Sequence, residues 1–260
     1  MTVSGFASLR VCAFNAPPPK ADQPTVRNVA ETRQLVVTID GPAGAGKSTV
    51  AKLLAHELGL MYLDTGATYR ALALAALQEE PPVVADAPRL ARLARQLPIR
   101  LEKTGHNGLR VFLGDDDVSR KIRTEAITDI AARISQYPEV RAAMVERQRE
   151  LADAQGVVVE GRDTGSVVFP HATYKFYLDA DPAVRAKRRQ QELAKFYGSQ
   201  TPLAMIREQI DLRDGLDRSR AVGPLVTPVG AMVIDTTRQT VQAVVRRMLQ
   251  RIRARRPALP

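Results

Sequence analysis

The sequence predicts an α/β domain built on a parallel sheet with helices on both faces. Three observations carry this. Short apolar runs at 36–39, 157–159, 174–178 and 232–234 lack period-two alternation, as strands buried on both sides do. Segments of helical spacing follow them, so strand and helix alternate along the chain. Between the first strand and the first helix lies a glycine-rich turn, the most informative stretch of the sequence.

Taken in order, residues 1–33 show no periodicity, carry Pro17, Pro18 and Pro19, and are expected to form a disordered extension. The first twenty residues hold no acid and a few serines, a composition shared with transit peptides, but lack the apolar stretch of a secretory signal. The turn after the first strand fits G-x-x-x-x-G-K-[ST] over Gly41, Pro42, Ala43, Gly44, Ala45, Gly46, Lys47 and Ser48, with Thr49 next. Glycines let backbone N–H groups curl around phosphate oxygens, and the following helix points its N-terminus at the same anion. In that motif Lys47 reaches the β- and γ-phosphates and the Ser48 hydroxyl completes the coordination of Mg²⁺. The helix is marked by Val50, Leu53, Leu54 and Leu58, with Gly59 at its C-cap.

A strand at 60–63 leads to Thr65 and a helix expected from Ala67, with Leu72, Ala73, Ala76 and Leu77 inward. Pro81, Pro82 and Pro88 interrupt the chain before a helix near 87–96. Segments 99–102 and 109–113 alternate around a Gly/Asn turn, the pattern of a β-hairpin in an inserted subdomain. The helix near 139–154 carries Val140, Met144 and Leu151 inward and Arg141, Arg147 and Arg149 elsewhere. The strand at 157–159 delivers Glu160, Gly161, Arg162 and Asp163 at its carboxyl end, where open α/β sheets bind ligands. Helices follow at 179–195 and 206–211, the second continuing helically into 213–220. A last helix has Val241, Val244, Val245, Met248, Leu249 and Ile252 on one face.

The 260 residues suit one sizeable α/β domain with insertions or two small ones, and no apolar run is long enough to span a bilayer. Cys12 is the single cysteine, which excludes an intramolecular disulfide framework. The net charge of +10 suggests nucleic-acid affinity at first sight. Much of the arginine instead lies in short motifs suited to small phosphates, and Arg246, Arg247, Arg251, Arg253, Arg255 and Arg256 fit a solvated helix face and tail. No nucleic-acid partner is therefore expected.

Arg70, Arg162, Arg213 and Arg220 all lie next to expected turns. Phosphoryl transfer to an acceptor that is itself a phosphate needs positioning and charge neutralisation, with no base to remove a proton. The sequence matches: cations abound, and His56, His106 and His171 have no partner at relay spacing. A hydroxyl acceptor would need a carboxylate base, and Asp40, Asp64 or Asp163 could be argued for one. No Asn-Lys-x-Asp segment supports a GTPase.

From Ile39 to about Ile252 these residues resemble the bacterial cytidylate kinases, within the nucleoside-monophosphate kinase group. The likeness rests on the loop at 39–49, the blocks 63–70, 118–124 and 161–170, and Asp217, Arg218, Ser219 and Arg220 with Pro224 and Leu225. It implies a single kinase domain over 34–260: a P-loop nucleoside-monophosphate kinase core with a parallel five-stranded sheet, a monophosphate-binding insertion near 92–131 and a helical lid near 185–220. It further implies a cytoplasmic monomer that transfers the γ-phosphoryl of ATP, with Mg²⁺, to CMP or dCMP. The alternative is a P-loop kinase of another monophosphate or of a small hydroxyl metabolite.

Carried over, Lys47, Arg162 and Arg220 are catalytic, and residues 41–49 hold ATP with Ser48 on the metal. Arg70, Arg162 and Arg220 hold the acceptor phosphate with help from Thr65, Arg141 and Asp163 read cytosine, and Arg213 and Asp217 reach the ribose. Three positions depart from the family: Ala132 stands in place of a serine near the base, Glu160 in place of aspartate, and Leu216 in place of a charged residue. Uracil lacks the amine that Asp163 would accept from, at a cost of about 1–3 kcal/mol.

Overall fold

In a computed structural model, described over residues 35–104, 108–153, 156–198 and 200–254, the apolar runs form one parallel sheet. Its strands are β1 (Val36–Asp40), β2 (Met61–Asp64), β6 (Val157–Gly161), β7 (Tyr174–Asp179) and β8 (Met232–Asp235), in the order β2-β6-β1-β7-β8. The five-stranded parallel core expected from the sequence is the one observed. β3 (Ile99–Thr104), β4 (Gly108–Leu113) and the short β5 (Asp116–Asp117) make a separate antiparallel sheet, so the hairpin is present.

The chain leaves β1 through α1 (Lys47–Leu58), crosses to the edge strand β2, and later returns as β6 beside β1. That reversal opens a crevice at the carboxyl ends of β1 and β6, the place where such sheets bind ligands. Asp40, Asp64 and Gly161 end their strands at this rim.

Local signals fix most helix ends. Gly59 closes α1 in the left-handed conformation at φ 65°. The Asp64 carboxylate accepts the Ala67 N–H at 2.9 Å and starts α2 (Thr65–Gln78), two residues earlier than expected. Asp86 caps α3 (Ala87–Gln96), Thr124 caps α4 (Glu125–Ile134), and Asp181 with Pro182 starts α6 (Pro182–Tyr197). The expected start at Asp179 is thus corrected: Asp179 still belongs to β7. The remaining helices are α5 (Pro138–Asp153), α7 (Leu203–Ser219) and α8 (Val241–Ala254).

Packing divides into two main units. One joins α1 and α8 to β1 and β7 through Val50, Leu54, Phe176, Leu178, Val244 and Met248. The other gathers α2, α3, the hairpin, α4 and α5 around Leu72, Leu90, Val111, Ile122, Ile134 and Met144. The crevice runs along the seam between them.

Several expectations need correction. Leu77 is exposed, because the buried face of α2 is completed by Thr68 and Ala71 instead. Arg141 points into the protein at 1% exposure, on the buried side of α5 with Val140 and Met144. α7 runs unbroken through Gly215, so Arg213 lies well inside a helix and not next to a turn. Arg70 sits inside α2, as the helix expected from Ala67 requires. Arg246, Arg247, Arg251 and Arg253 are exposed on α8 opposite its buried face. The expected extension over 1–33, His106, Arg255 and Arg256 lie outside the described residues.

Candidate active site

The phosphate loop joins β1 to α1. Gly41, at φ 145°, lies so close to β7 that a Cβ would fall 2.0 Å from the Leu178 carbonyl oxygen, and one at Gly44 (φ 76°) would fall 2.7 Å from that of Arg185. The loop is therefore pressed between β7 and α6. No side chain caps the N-terminus of α1 and no acid lies in its first turn, which leaves its N–H groups to an anion.

Lys47 is buried and donates to the Pro42 carbonyl at 2.6 Å. Burial and then the neighbouring Arg162 push its ammonium down to about 7. Ser48 and Glu160 line the same cavity beside Lys47, and the Glu160 carboxylate accepts from the Tyr62 hydroxyl at 2.5 Å. Burial and then Asp64 raise the Glu160 pKa. Asp64 itself is lowered: burial acts to raise it, but Arg70 and the Ala67 N–H act together against that. Thr65 donates to the Glu160 carbonyl at 2.7 Å, which holds the start of α2 against the end of β6.

The arginines expected at the acceptor converge, drawn from four separate elements. Arg70 pairs with Asp64 at 3.1 Å. Arg162, just past β6, donates to Asp217 at 2.7 Å, and Arg220 takes the other oxygen of the same carboxylate. Arg141 pairs with Asp163, donates to the Ser135 carbonyl at 3.3 Å and lies over the Tyr69 ring. Arg213 makes no hydrogen bond or ion pair among the described residues. Burial, then Arg162, Arg70 and Arg189, lower it to about 9, so it stays charged at neutral pH.

Three confluent cavities follow the crevice. The donor end is lined by residues 44–49 together with Arg188, Arg189 and Thr236. The middle holds Lys47, Ser48, Glu160, Arg70, Arg162 and Arg213. The acceptor end shares those three arginines and continues to Arg141, Asp163, Arg220 and Ser135. One anion at the loop and a second at the arginines would therefore meet between Lys47 and Arg162.

A proton-abstracting carboxylate is harder to find. Asp40 is fully buried and accepts from the Thr164 N–H at 2.7 Å, the Thr164 hydroxyl at 2.8 Å and the Gly165 N–H at 2.7 Å. Burial outweighs those bonds and raises it to about 6. Asp64 and Asp163 are committed to Arg70 and Arg141. The three carboxylates that a hydroxyl acceptor could have used are all engaged.

Sequence reasoning missed other groups here. Asp214 accepts the Ala43 N–H at 3.1 Å and pairs with Arg185, which donates to the Ala43 carbonyl at 3.1 Å. Together they tie α6 and α7 to the crest of the loop. Arg188 donates to the Thr236 carbonyl at 2.7 Å, and the Thr236 hydroxyl donates to Ala45, behind the loop. Lys52 and Arg123 line both the donor and middle cavities. The one signal was the run of arginines from 185 to 189, which does not say which of them turn inward. Among the described residues no group of three His, Cys, Asp or Glu side chains could hold a metal.

Comparison with known proteins gives consistent matches. A family model described as cytidylate kinase matches residues 37–254. The cytidylate kinase of Pelotomaculum thermopropionicum is 45% identical over 220 residues, covering 85% of this chain and 96% of its own. That of Caldanaerobacter subterraneus subsp. tengcongensis is 46% identical over 217 residues, covering 84% and 94%. That of Citrobacter koseri is 43% identical over 215 residues, covering 83% and 93%.

Proposed function

The chain belongs to the cytidylate kinases, and we propose that it transfers the γ-phosphoryl group of ATP to CMP and dCMP, giving CDP and dCDP. The observation that carries this reading is the continuity of the cavities from the phosphate loop, past Lys47 and Arg162, to the Arg141–Asp163 pair.

ATP lies with its triphosphate in the loop and on the α1 N-terminus. Mg²⁺ would be held with the nucleotide by the Ser48 hydroxyl, a hard oxygen donor, with Glu160 lining the same cavity, and it would neutralise charge on the β- and γ-phosphates. At the other end Arg70, Arg162 and Arg220 take the acceptor phosphate with Thr65 beside them. The Asp217 carboxylate, released by Arg162 and Arg220, turns to the ribose hydroxyls with Arg213. Arg141 donates to the cytosine carbonyl and ring nitrogen, and Asp163 accepts from its amine.

An oxygen of the acceptor phosphate, already ionised, attacks the γ-phosphorus. The bond to the β,γ-bridging oxygen breaks and ADP leaves with that electron pair. No proton moves, in keeping with a site whose carboxylates are all engaged. Lys47, Arg162 and Arg220 stabilise the charge on the equatorial oxygens. Closure of the segment near 185–220 over both nucleotides excludes water that would hydrolyse ATP. Scattering with and without a bisubstrate analogue tests this: identical radii would argue against closure.

Among the described residues no helix is long and apolar enough to cross a membrane. We place the enzyme in the cytoplasm, where nucleotide substrates occur. A coupled assay across CMP, dCMP, UMP, AMP and GMP decides the acceptor. Turnover of CMP no faster than the rest would sink the assignment.

A further inference from the structure

We infer that the Ser135 hydroxyl is a third base-reading group, acting as an obligate acceptor for the cytosine amine beside Asp163. The inference rests on the cytidylate reading above and adds a specificity residue to it.

Ser135 follows the last turn of α4 and is 5% exposed, yet it lines the acceptor cavity. Its neighbours at that end are Tyr69, Ala131, Ala132, Arg141 and Asp163, so apolar surface surrounds a few polar groups, as suits a flat heterocycle. The Ser135 hydroxyl donates to the Ala132 carbonyl at 2.8 Å, and a carbonyl has no proton to return. That oxygen also accepts from Gln136 Nε2 at 3.2 Å, which fills both its lone pairs. The serine proton is thereby fixed on the helix end, and the hydroxyl can offer the cavity only lone pairs.

Ser135 is also tied to the other readers. Its carbonyl accepts from Arg141 Nη1 at 3.3 Å, while Arg141 Nη2 pairs with Asp163. Serine, arginine and aspartate thus share one frame. The exocyclic amine of cytosine has two protons: Asp163 takes one and Ser135 the other. Uracil presents a carbonyl oxygen at that position and would face two acceptors with no donor between them. Turning the serine proton toward uracil would leave the Ala132 carbonyl short of a bond.

The test measures kcat/KM of wild type and Ser135→Ala on CMP, UMP and the monophosphate of 2-pyrimidinone riboside, whose base lacks the amine. The expected result is about a fivefold loss on CMP, no loss on the two other acceptors, and an unchanged KM for ATP. An equal loss on all three would show that Ser135 merely holds the helix end, and would overturn the inference. So would an unchanged CMP-to-UMP ratio in a variant that still melts like wild type. Ser135→Cys keeps the volume with a weak acceptor and should give the same narrowed ratio if the alanine variant does not fold. A wild-type enzyme without preference for CMP would instead bring down the underlying reading, a separate outcome visible before any variant is made.

Discussion

At the donor end, the groups proposed to meet the phosphates are backbone N–H groups in one short stretch of chain pressed against β7 and α6. At the acceptor end they are side chains from α2, the end of β6, α5 and α7, most of them already paired with carboxylates. The first arrangement is ready before the nucleotide arrives. In the proposed scheme the second must free Arg70, Arg162 and Arg220 from Asp64 and Asp217, so part of its binding energy goes into breaking existing pairs. The contrast predicts different failures at the two ends: loss of rate with the fold intact at the donor end, and coupled losses of selectivity and stability at the acceptor end.

The sharpest break should come from Lys47→Ala. Its ammonium is proposed to meet the transferred group, and its one hydrogen bond among the described residues, to the Pro42 carbonyl, holds little of the fold. We expect kcat to fall by about 10²–10³-fold with KM for CMP little changed, measured by steady-state kinetics. An unchanged rate would remove its assigned role.

Asp163→Ala probes the opposite behaviour. It leaves Arg141, the largest fully buried side chain among the described residues, without its carboxylate. Breaking a buried pair from one side costs about 3–5 kcal/mol, so denaturant unfolding should show a marked loss of stability. The CMP-to-UMP ratio should narrow in the same variant. A stable variant with an undiminished ratio would argue that the pair neither holds the fold nor reads the base.

The same contrast explains what the sequence made legible. The loop at 41–48, the helix after it and its Gly59 stop are contiguous, so local chemistry names them. The hairpin and the parallel strands likewise follow from local patterning. Arg141 was misplaced because its partner Asp163 lies 22 residues away, and nothing near it in sequence accounts for a buried charge. Arg213 is expected next to a turn because Gly215 follows two residues later. Tertiary packing of Ile206, Ile210, Asp214 and Asp217 keeps α7 helical through that glycine. The early start of α2 was hidden because Thr65 and Gly66 are poor helix formers, and the Asp64 cap overrides them. The Asp214 tie to Ala43 spans 171 residues and had no sequence signal at all.

Arg213 refines the comparison, since it sits at the acceptor end yet has no ion-pair partner among the described residues. Arg213→Ala should lower kcat/KM for CMP by about tenfold, the worth of one charge-assisted hydrogen bond. Because it also relieves repulsion from Arg162 and Arg70, its melting temperature should hold or rise. Arg162→Ala should lose activity to a similar degree and melt lower, because Asp217 loses one of its two partners. Equal melting shifts in the two variants would erase the distinction.

The smallest effect concerns a proton at the donor end. Lys47 is held near 7 in the folded chain against 10.5 for a free lysine. Between those values the unfolded chain keeps the proton and the folded chain has lost it. This site therefore adds stability as pH rises from 7 toward 10.5, and costs stability below that window. Triphosphate oxygens placed beside Lys47 reverse the shift, because an adjacent anion favours the ammonium. ATP binding at pH 8 should accordingly take up most of one proton. Calorimetric titrations in two buffers of different ionisation enthalpy would show it as a difference in apparent heat, and Lys47→Met should abolish that difference. Identical buffer dependence in wild type and variant would mean that the proton comes from elsewhere, and that Lys47 meets the phosphates already charged.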